Sequence, residues 1–171
     1  YILASSDNVN DSLSISENVL IANRMFNALI NIVPVANNRT YTAGFGSGAM
    51  FASILPTFIK EIKGVVSIGA SVGNIEILNS KQTFQFIGIV NRSDYSFRDM
   101  LDTQQILNKM KFPNELLVFD DDRILPDVTT IASAFRMLTL TSMAKGDVQR
   151  NDSLIADSYQ EFMTKANIFV S

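Results

Sequence analysis

The sequence contains neither cysteine nor histidine. Without cysteine there is no disulfide framework, no thiolate metal site and no cysteine nucleophile. Without histidine the usual general base near neutral pH is missing, because only the imidazole has a free pKa close to about 6.5. A Ser-His-Asp or Cys-His mechanism is therefore excluded within these residues, as are the common histidine-bearing zinc sites. No basic excess exists either. The net charge is −3 with no long block of one sign, so nothing in the charge pattern suggests a nucleic-acid or anionic-membrane partner. The longest apolar runs, Gly64 to Ala70 and Phe84 to Val90, are strand-sized. They fall far short of the roughly 18 to 20 residues needed to span a bilayer.

What is present is enough for one domain with a sizeable core: 171 residues, 47% of them hydrophobic. The chain opens directly on YILAS, without an initiator Met or a signal peptide, and reads as a mature or truncated product. Its compartment is not legible.

Strand and helix signals alternate along the chain. Tyr1 to Ser5 is expected to form a short buried strand, followed by a polar loop, Ser6 to Asp11. Val19, Leu20, Ala22, Met25, Phe26, Leu29, Ile30 and Val33 recur at helical spacing and predict a helix from Ser16 to Val33. Pro34 and the pair Asn37-Asn38 end it. Arg39 to Ala43 reads as a strand, Gly44 to Gly48 as a tight turn, and Gly48 to Ile59 as a helix disturbed by Pro56. Strands are expected over Gly64 to Ala70, Phe84 to Val90 and Glu115 to Phe119. Helices are expected over Ser96 to Met110, Asp127 to Lys145 and Asp152 to Phe169. This order calls for an α/β fold, a parallel sheet with helices on both faces. Residues 1–146 form the sheet-bearing domain in this reading and 147–171 a helical extension.

The segment TYTAGFGSGAMFA runs from a strand through a glycine-rich turn into a helix. Two mechanisms use that arrangement. One is a nucleophile elbow, G-x-S-x-G, in which a sharp turn presents a serine at the sheet edge. The other is a dinucleotide fingerprint, which Gly44, Gly46 and Ala49 formally satisfy. That fingerprint also asks for an acid at the end of the next strand, which instead ends Ile68-Gly69-Ala70-Ser71. A third reading is structural, with small residues letting the helix approach the strand.

YTAGFGSGAMFASILP resembles the elbow of polyhydroxybutyrate-depolymerase-type and related esterases of the α/β-hydrolase superfamily. GIVNRSDYSF resembles the strand and loop that carry the acid of that family, and ELLVFDDDRILP its stretch around the catalytic His, with Phe119 and Pro126 holding the frame. The likeness covers roughly Tyr1 to Leu140. It implies an α/β-hydrolase fold with Gly46 in the nucleophile's place between Gly44 and Gly48, Asp94 as the acid, and Arg123 in the place of the His. Asp121 and Asp122 stand where the family has glycines. Only Asp94 of the triad is of the catalytic type. The resemblance thus implies the fold and argues against the activity, leaving a non-catalytic binding or interaction module. The alternatives are a hydrolase with residual activity or one completed by residues outside this chain, and a dinucleotide-binding domain.

Ser47 is the remaining hydroxyl at the turn. It stands one residue past the apex, and no His is available to take its proton. Its ordinary role is to satisfy a backbone donor at the helix start. The resemblance also implies earlier strands than the one expected at Tyr1, one of them lying between Tyr1 to Ser5 and Arg39 to Ala43. Without it the two segments would face a gap, filled by further polypeptide or by another chain.

Three further features complete the reading. Asp120, Asp121 and Asp122, and separately Asp7, Asn8, Asn10 and Asp11, follow strands and present oxygen donors. They fit no EF-hand spacing and read as solvated loops, so no metal or cofactor is assigned. Arg123 is expected to reach Asp94 as a clamp, with Asp121 or Asp122 as its alternative partners. In the last helix Ile155, Tyr159, Phe162, Ala166 and Phe169, widened by Leu154 and Met163, form one apolar stripe. The preceding helix has its own stripe: Ile131, Phe135, Leu138 and Ser142. The last helix is expected to reach another domain, another chain or a second copy, with packing on the core as the alternative.

Overall fold

A computed structural model describes residues 2–36, 38–78, 82 and 84–168. Helix α1 spans Ile15–Ile32 and begins on a capping box. The Ser14 Oγ accepts from the Glu17 backbone N–H, and the Glu17 carboxylate accepts from the Ser14 N–H at 2.9 Å. Two orphan donors of the first turn are thereby satisfied. Strand β1 (Thr40–Phe45) leads into α2 (Ser47–Ile54) and a short 3-10 turn, Leu55–Thr57. Strand β2 is Ile62–Ile68 and β3 is Gln85–Asn91, with a one-turn 3-10 segment, Ile75–Ile77, between them. Then come α3 (Phe97–Lys109), β4 (Asn114–Phe119), α4 (Val128–Ala144) and α5 (Asp152–Ile168).

The strands form one parallel sheet in the order β1-β2-β3-β4. Its two middle strands explain the apolar runs in the sequence. Both faces of a parallel sheet are covered, so neighbouring residues of one strand both meet core. Val65 packs with Phe86, Leu107 and Phe112 on one face. Val66 packs with Ile87, Ile89, Ala134 and Leu138 on the other. Helix α3 thus covers the first face and α4 the second. Helix α1 joins through Ala22, which clusters with Leu55, Ile59 and Ile62.

The α/β fold with helices on both faces is as the sequence implies; several details differ. The expected strand at Tyr1 to Ser5 is not formed: Ile2 to Ser5 is irregular and exposed, and Tyr1 lies outside the described residues. A strand needs a neighbour for its backbone groups, and the described sheet has none beside this segment. The helix expected to Ile59 ends at Ile54 and tightens into the 3-10 turn at Pro56, which has no N–H to continue an α-helix. The turn expected over Gly44 to Gly48 contracts to a single residue, Gly46, with strand on one side and helix on the other.

The last helix folds back on α4. Glu161 accepts from Ser133 Oγ at 3.1 Å and pairs with Arg136. Ser158 is buried, while Tyr159 and Met163, members of the expected stripe, are exposed. Leu154, Ile155 and Phe162 are half-buried. The apolar stripe is therefore split. A polar contact, invisible to hydrophobic spacing, sets the face that docks. Phe169 and the side chain of Ala166 lie outside what is described.

Candidate functional site

The carboxyl ends of β1, β3 and β4 carry Gly46, Asp94 and Arg123 respectively. Because the strands are parallel, all three fall on one edge of the sheet.

At the first position the chain reverses within one residue. Gly46 has φ +56° and ψ −125°, donates its N–H to Ile68 O at 3.0 Å, and accepts from Ala49 and Met50 at the start of α2. This is backbone that a side chain strains and glycine does not. Space is not the constraint, since a Cβ built on Gly46 meets nothing within 4 Å. At Gly44 the reverse holds. A Cβ there would lie 2.4 Å from the carbonyl of Gly48 and 2.6 Å from the nitrogen of Ala49, so Gly44 lets β1 and α2 touch. The segment has the geometry of an elbow, with an apex that carries no reactive atom.

Ser47 is the first residue of α2, not its cap, and it is exposed. Its Oγ donates to Asp11 Oδ2 at 3.3 Å, instead of satisfying a helix-start donor as expected. The loop around Asp11 thus reaches the elbow. Within that loop Asn10 accepts from Ser12, and Asn18 Nδ2 donates to Asn10 O at 2.8 Å. Among the described residues, no three acidic side chains group closely enough to hold a metal ion.

At the other end of the edge, Arg123 does not take Asp94. Its guanidinium pairs with Asp121, which also accepts from the Arg123 backbone N–H at 3.1 Å. The loop closes on itself two residues away because this partner requires no ordering of a second loop. The guanidinium holds the Asp121 carboxyl below the usual carboxylate range, and Asp121 in turn pushes the arginine's pKa up. Asp94 is used differently: its Oδ1 accepts from Ser96 N at 2.7 Å and turns the chain into α3. The clamp is therefore replaced by two local turns.

The residue that joins the two loops is Asn91, which the sequence reading passed over. It is the last residue of β3 and only 6% exposed. Its Nδ2 donates to Asp121 O at 2.6 Å and to Arg123 O at 3.0 Å. Its Oδ1 accepts from Ser93 N and Ser93 Oγ at 2.9 and 2.8 Å. All four amide valences are spent on the loops that carry the acid and arginine positions. The signal was a lone amide closing an apolar strand just before a polar loop. Downstream, Asp127 caps α4 by accepting from Thr130 N at 2.6 Å. Hydrogen bonds from Thr130 and Thr129, with the nearby Arg123, lower its pKa.

The parallel sheet with helices on both faces and a sharp turn between strand and helix is an α/β-hydrolase-like fold. No protein-family model matches the sequence, and no curated protein does. Solved structures do. One is the S-formylglutathione hydrolase FrmB from Staphylococcus aureus in its apoenzyme form. It matches with a TM-score of 0.52 and 14% identity, over 73% of this chain and 59% of that one. Another is FphF, a fluorophosphonate-binding serine hydrolase of Staphylococcus aureus with substrate bound. It has a TM-score of 0.52 and 14% identity, over 70% of this chain and 61% of that one. The chain thus spans about three fifths of the structures it matches.

Proposed function

We propose that this chain is a non-catalytic relative of serine esterases that serves as a binding or interaction module. The observation that carries this reading is Gly46 at the elbow apex, φ +56°, in a sequence with no histidine. Arg123 stands where the resemblance places the base, and it is occupied with Asp121. A guanidinium with a raised pKa cannot accept a proton. The outer face of α5, with Tyr159 and Met163 exposed, is the surface we assign to contact with a partner, another domain or a second copy. Sedimentation of the chain with and without residues 151–171 tests that surface.

The contact between Ser47 and Asp11 favours a second reading, residual hydrolysis at Ser47. A carboxylate is a poor base for a serine at neutral pH, because its ordinary pKa is about 4. Hydrolysis by a site completed from outside this chain is the related alternative. One experiment separates these from the leading reading. Purified chain is assayed with p-nitrophenyl acetate and butyrate and exposed to a fluorophosphonate probe. Background turnover and no labelling are expected. Turnover that disappears in Ser47→Ala would overturn the proposal. A fluorescence titration with NADH tests the dinucleotide reading, for which no binding is expected.

A further inference from the structure

The amino edge of the sheet, opposite the elbow, holds a concavity of its own. Strand β2 borders it with Lys63 and β3 with its first residue, Gln85. Helix α4 contributes Leu138 and Ser142, and the turn after α4 adds Lys145 and Asp147. That turn is fixed. Gly146, at φ +79°, donates to Met143 O at 3.0 Å, and Asp147 N donates to Ser142 O at 2.9 Å. Paired bonds of this kind end a helix in a reversal, which brings Asp147 back to the rim. There Asn38 Nδ2 donates to Asp147 Oδ1 at 2.9 Å. The cavity holds about 280 Å³. Gln85 is its unexplained group. It is only 7% exposed, and its Oε1 has no hydrogen-bond partner among the described residues. A buried acceptor without a donor costs stability. Its chain neighbours Phe84 and Phe86 are buried and apolar, and so is Leu138 across the cavity. An apolar side chain would occupy the same place without that cost.

We propose that this cavity binds a small free α-amino acid, its ammonium donating to Gln85 Oε1 and its carboxylate facing Lys63 and Lys145. The chemistry of the ligand follows from the lining. Gln85 Oε1 requires an N–H or O–H donor inside the cavity. Ser142 does not reach it, because its Oγ is engaged with the Tyr41 hydroxyl at 3.0 Å. The ammonium groups of Lys63 and Lys145 ask for an anion. Lys63 Nζ donates to Lys60 O at 2.8 Å and keeps further N–H groups for a ligand. Asp147 and the carbonyl end of α4 favour positive charge on the ligand's donor over a neutral hydroxyl. A donor of positive charge and a carboxylate within a few atoms of each other define an α-amino acid. The volume lies just under the roughly 300 to 1,000 Å³ of pockets for drug-sized ligands, so a small side chain fits and a dinucleotide does not.

The test titrates the ¹⁵N-labelled chain with L-serine and L-glutamine, and with L-lactate and glycerol as controls. Saturable NMR shifts of the Lys63, Gln85, Lys145 and Asp147 signals are expected with an amino acid and not with the controls. Gln85→Met should weaken that binding by at least about tenfold, because it removes a hydrogen bond to a charged group. The same variant should melt at or above the temperature of the parent, since it also removes the buried acceptor. Lys145→Ala, at an exposed position, should weaken binding by up to about fivefold and decides the matter if Gln85→Met folds poorly. Absence of a saturable shift with both amino acids would overturn the proposal and leave Gln85 Oε1 to a bridging water. An equal response to L-lactate or glycerol would overturn it too, since no ammonium would then be required. So would amino-acid binding that is unchanged in both variants. Esterase activity has no part in these readouts, so the result stands apart from the reading of the elbow.

Discussion

Asn91→Ala removes the joint between the two loops at the sheet's carboxyl edge. Asn91 is 6% exposed and makes four hydrogen bonds, two donated to backbone carbonyls of Asp121 and Arg123 and two accepted from Ser93. Three main-chain groups lose a partner in the alanine variant: two carbonyls and the Ser93 N–H. A buried group left without a partner costs about 1 to 3 kcal/mol. Arg123 is exposed, however, and Asp121 is half-buried, so water can reach their carbonyls and the lower end applies there. Ser93 is exposed as well, so the lower end applies to each of the three groups and the expected loss is about 3 kcal/mol. With a urea m-value of about 2 kcal/mol/M, the midpoint should fall by about 1 to 2 M. Circular dichroism serves as the probe, since the chain has no tryptophan. Asn91→Asp sharpens the test. It keeps the acceptor toward Ser93 but sets a carboxylate oxygen against the Asp121 and Arg123 carbonyls, so it should be at least as destabilising at neutral pH. It should recover in part in acid, where the protonated carboxyl can donate. A loss below about 0.5 kcal/mol for Asn91→Ala would show that solvent substitutes for the amide and that Asn91 does not organise the edge.

Other changes separate the remaining devices. Gly44→Ala should cost more than about 3 kcal/mol or prevent folding, because its Cβ would meet the backbone of Gly48 and Ala49. Gly46→Ser has open space and should cost only the backbone strain, about 1 to 3 kcal/mol, with no gain of esterase activity. Gly46→Ser combined with Arg123→His is the direct test of a dormant site, and activity from the single change would reveal an unrecognised base. Glu161→Ala should loosen α5 from α4, read as faster tryptic cleavage near Arg150 with the sheet intact. Stability should be flat from about pH 6 to 9, since no histidine or cysteine titrates there. Glu17, Asp121 and Asp127 have depressed pKa values, held down by Ser14, Arg123 and Thr130 respectively. Their contribution is present above the ordinary carboxylate pKa and is lost as pH falls through the depressed values. Thermal midpoints should therefore drop below about pH 4, and less so in Asp127→Asn.

The sequence by itself determined the alternation of strand and helix, the elbow and the absence of a base. Those features are local or compositional. The run Val65-Val66 announces a strand covered on both faces, the spacing Gly44, Gly46, Gly48 announces a reversal, and a missing histidine is missing in any fold. The capping box at Ser14 and Glu17 starts α1 at Ile15, one residue before the helix that apolar spacing alone predicts from Ser16. Tertiary structure decided everything that depends on a choice of partner. Arg123 could reach several carboxylates from its sequence position, and only the closure of its own loop selected Asp121 over Asp94. Tyr1 to Ser5 has the composition of a strand, yet Ile2 to Ser5 stays irregular because no neighbouring strand among the described residues offers it hydrogen bonds. Glu161 meets α4 against the expectation from the apolar stripe of α5, because Arg136 and Ser133 supply polar partners there, and Ser158 is buried with its hydroxyl donating to Leu154 O in its own helix. Asn91 shows the same principle most clearly. Its identity is plain in the sequence, but its importance arises from two carbonyls some thirty residues away that the sheet brings within reach.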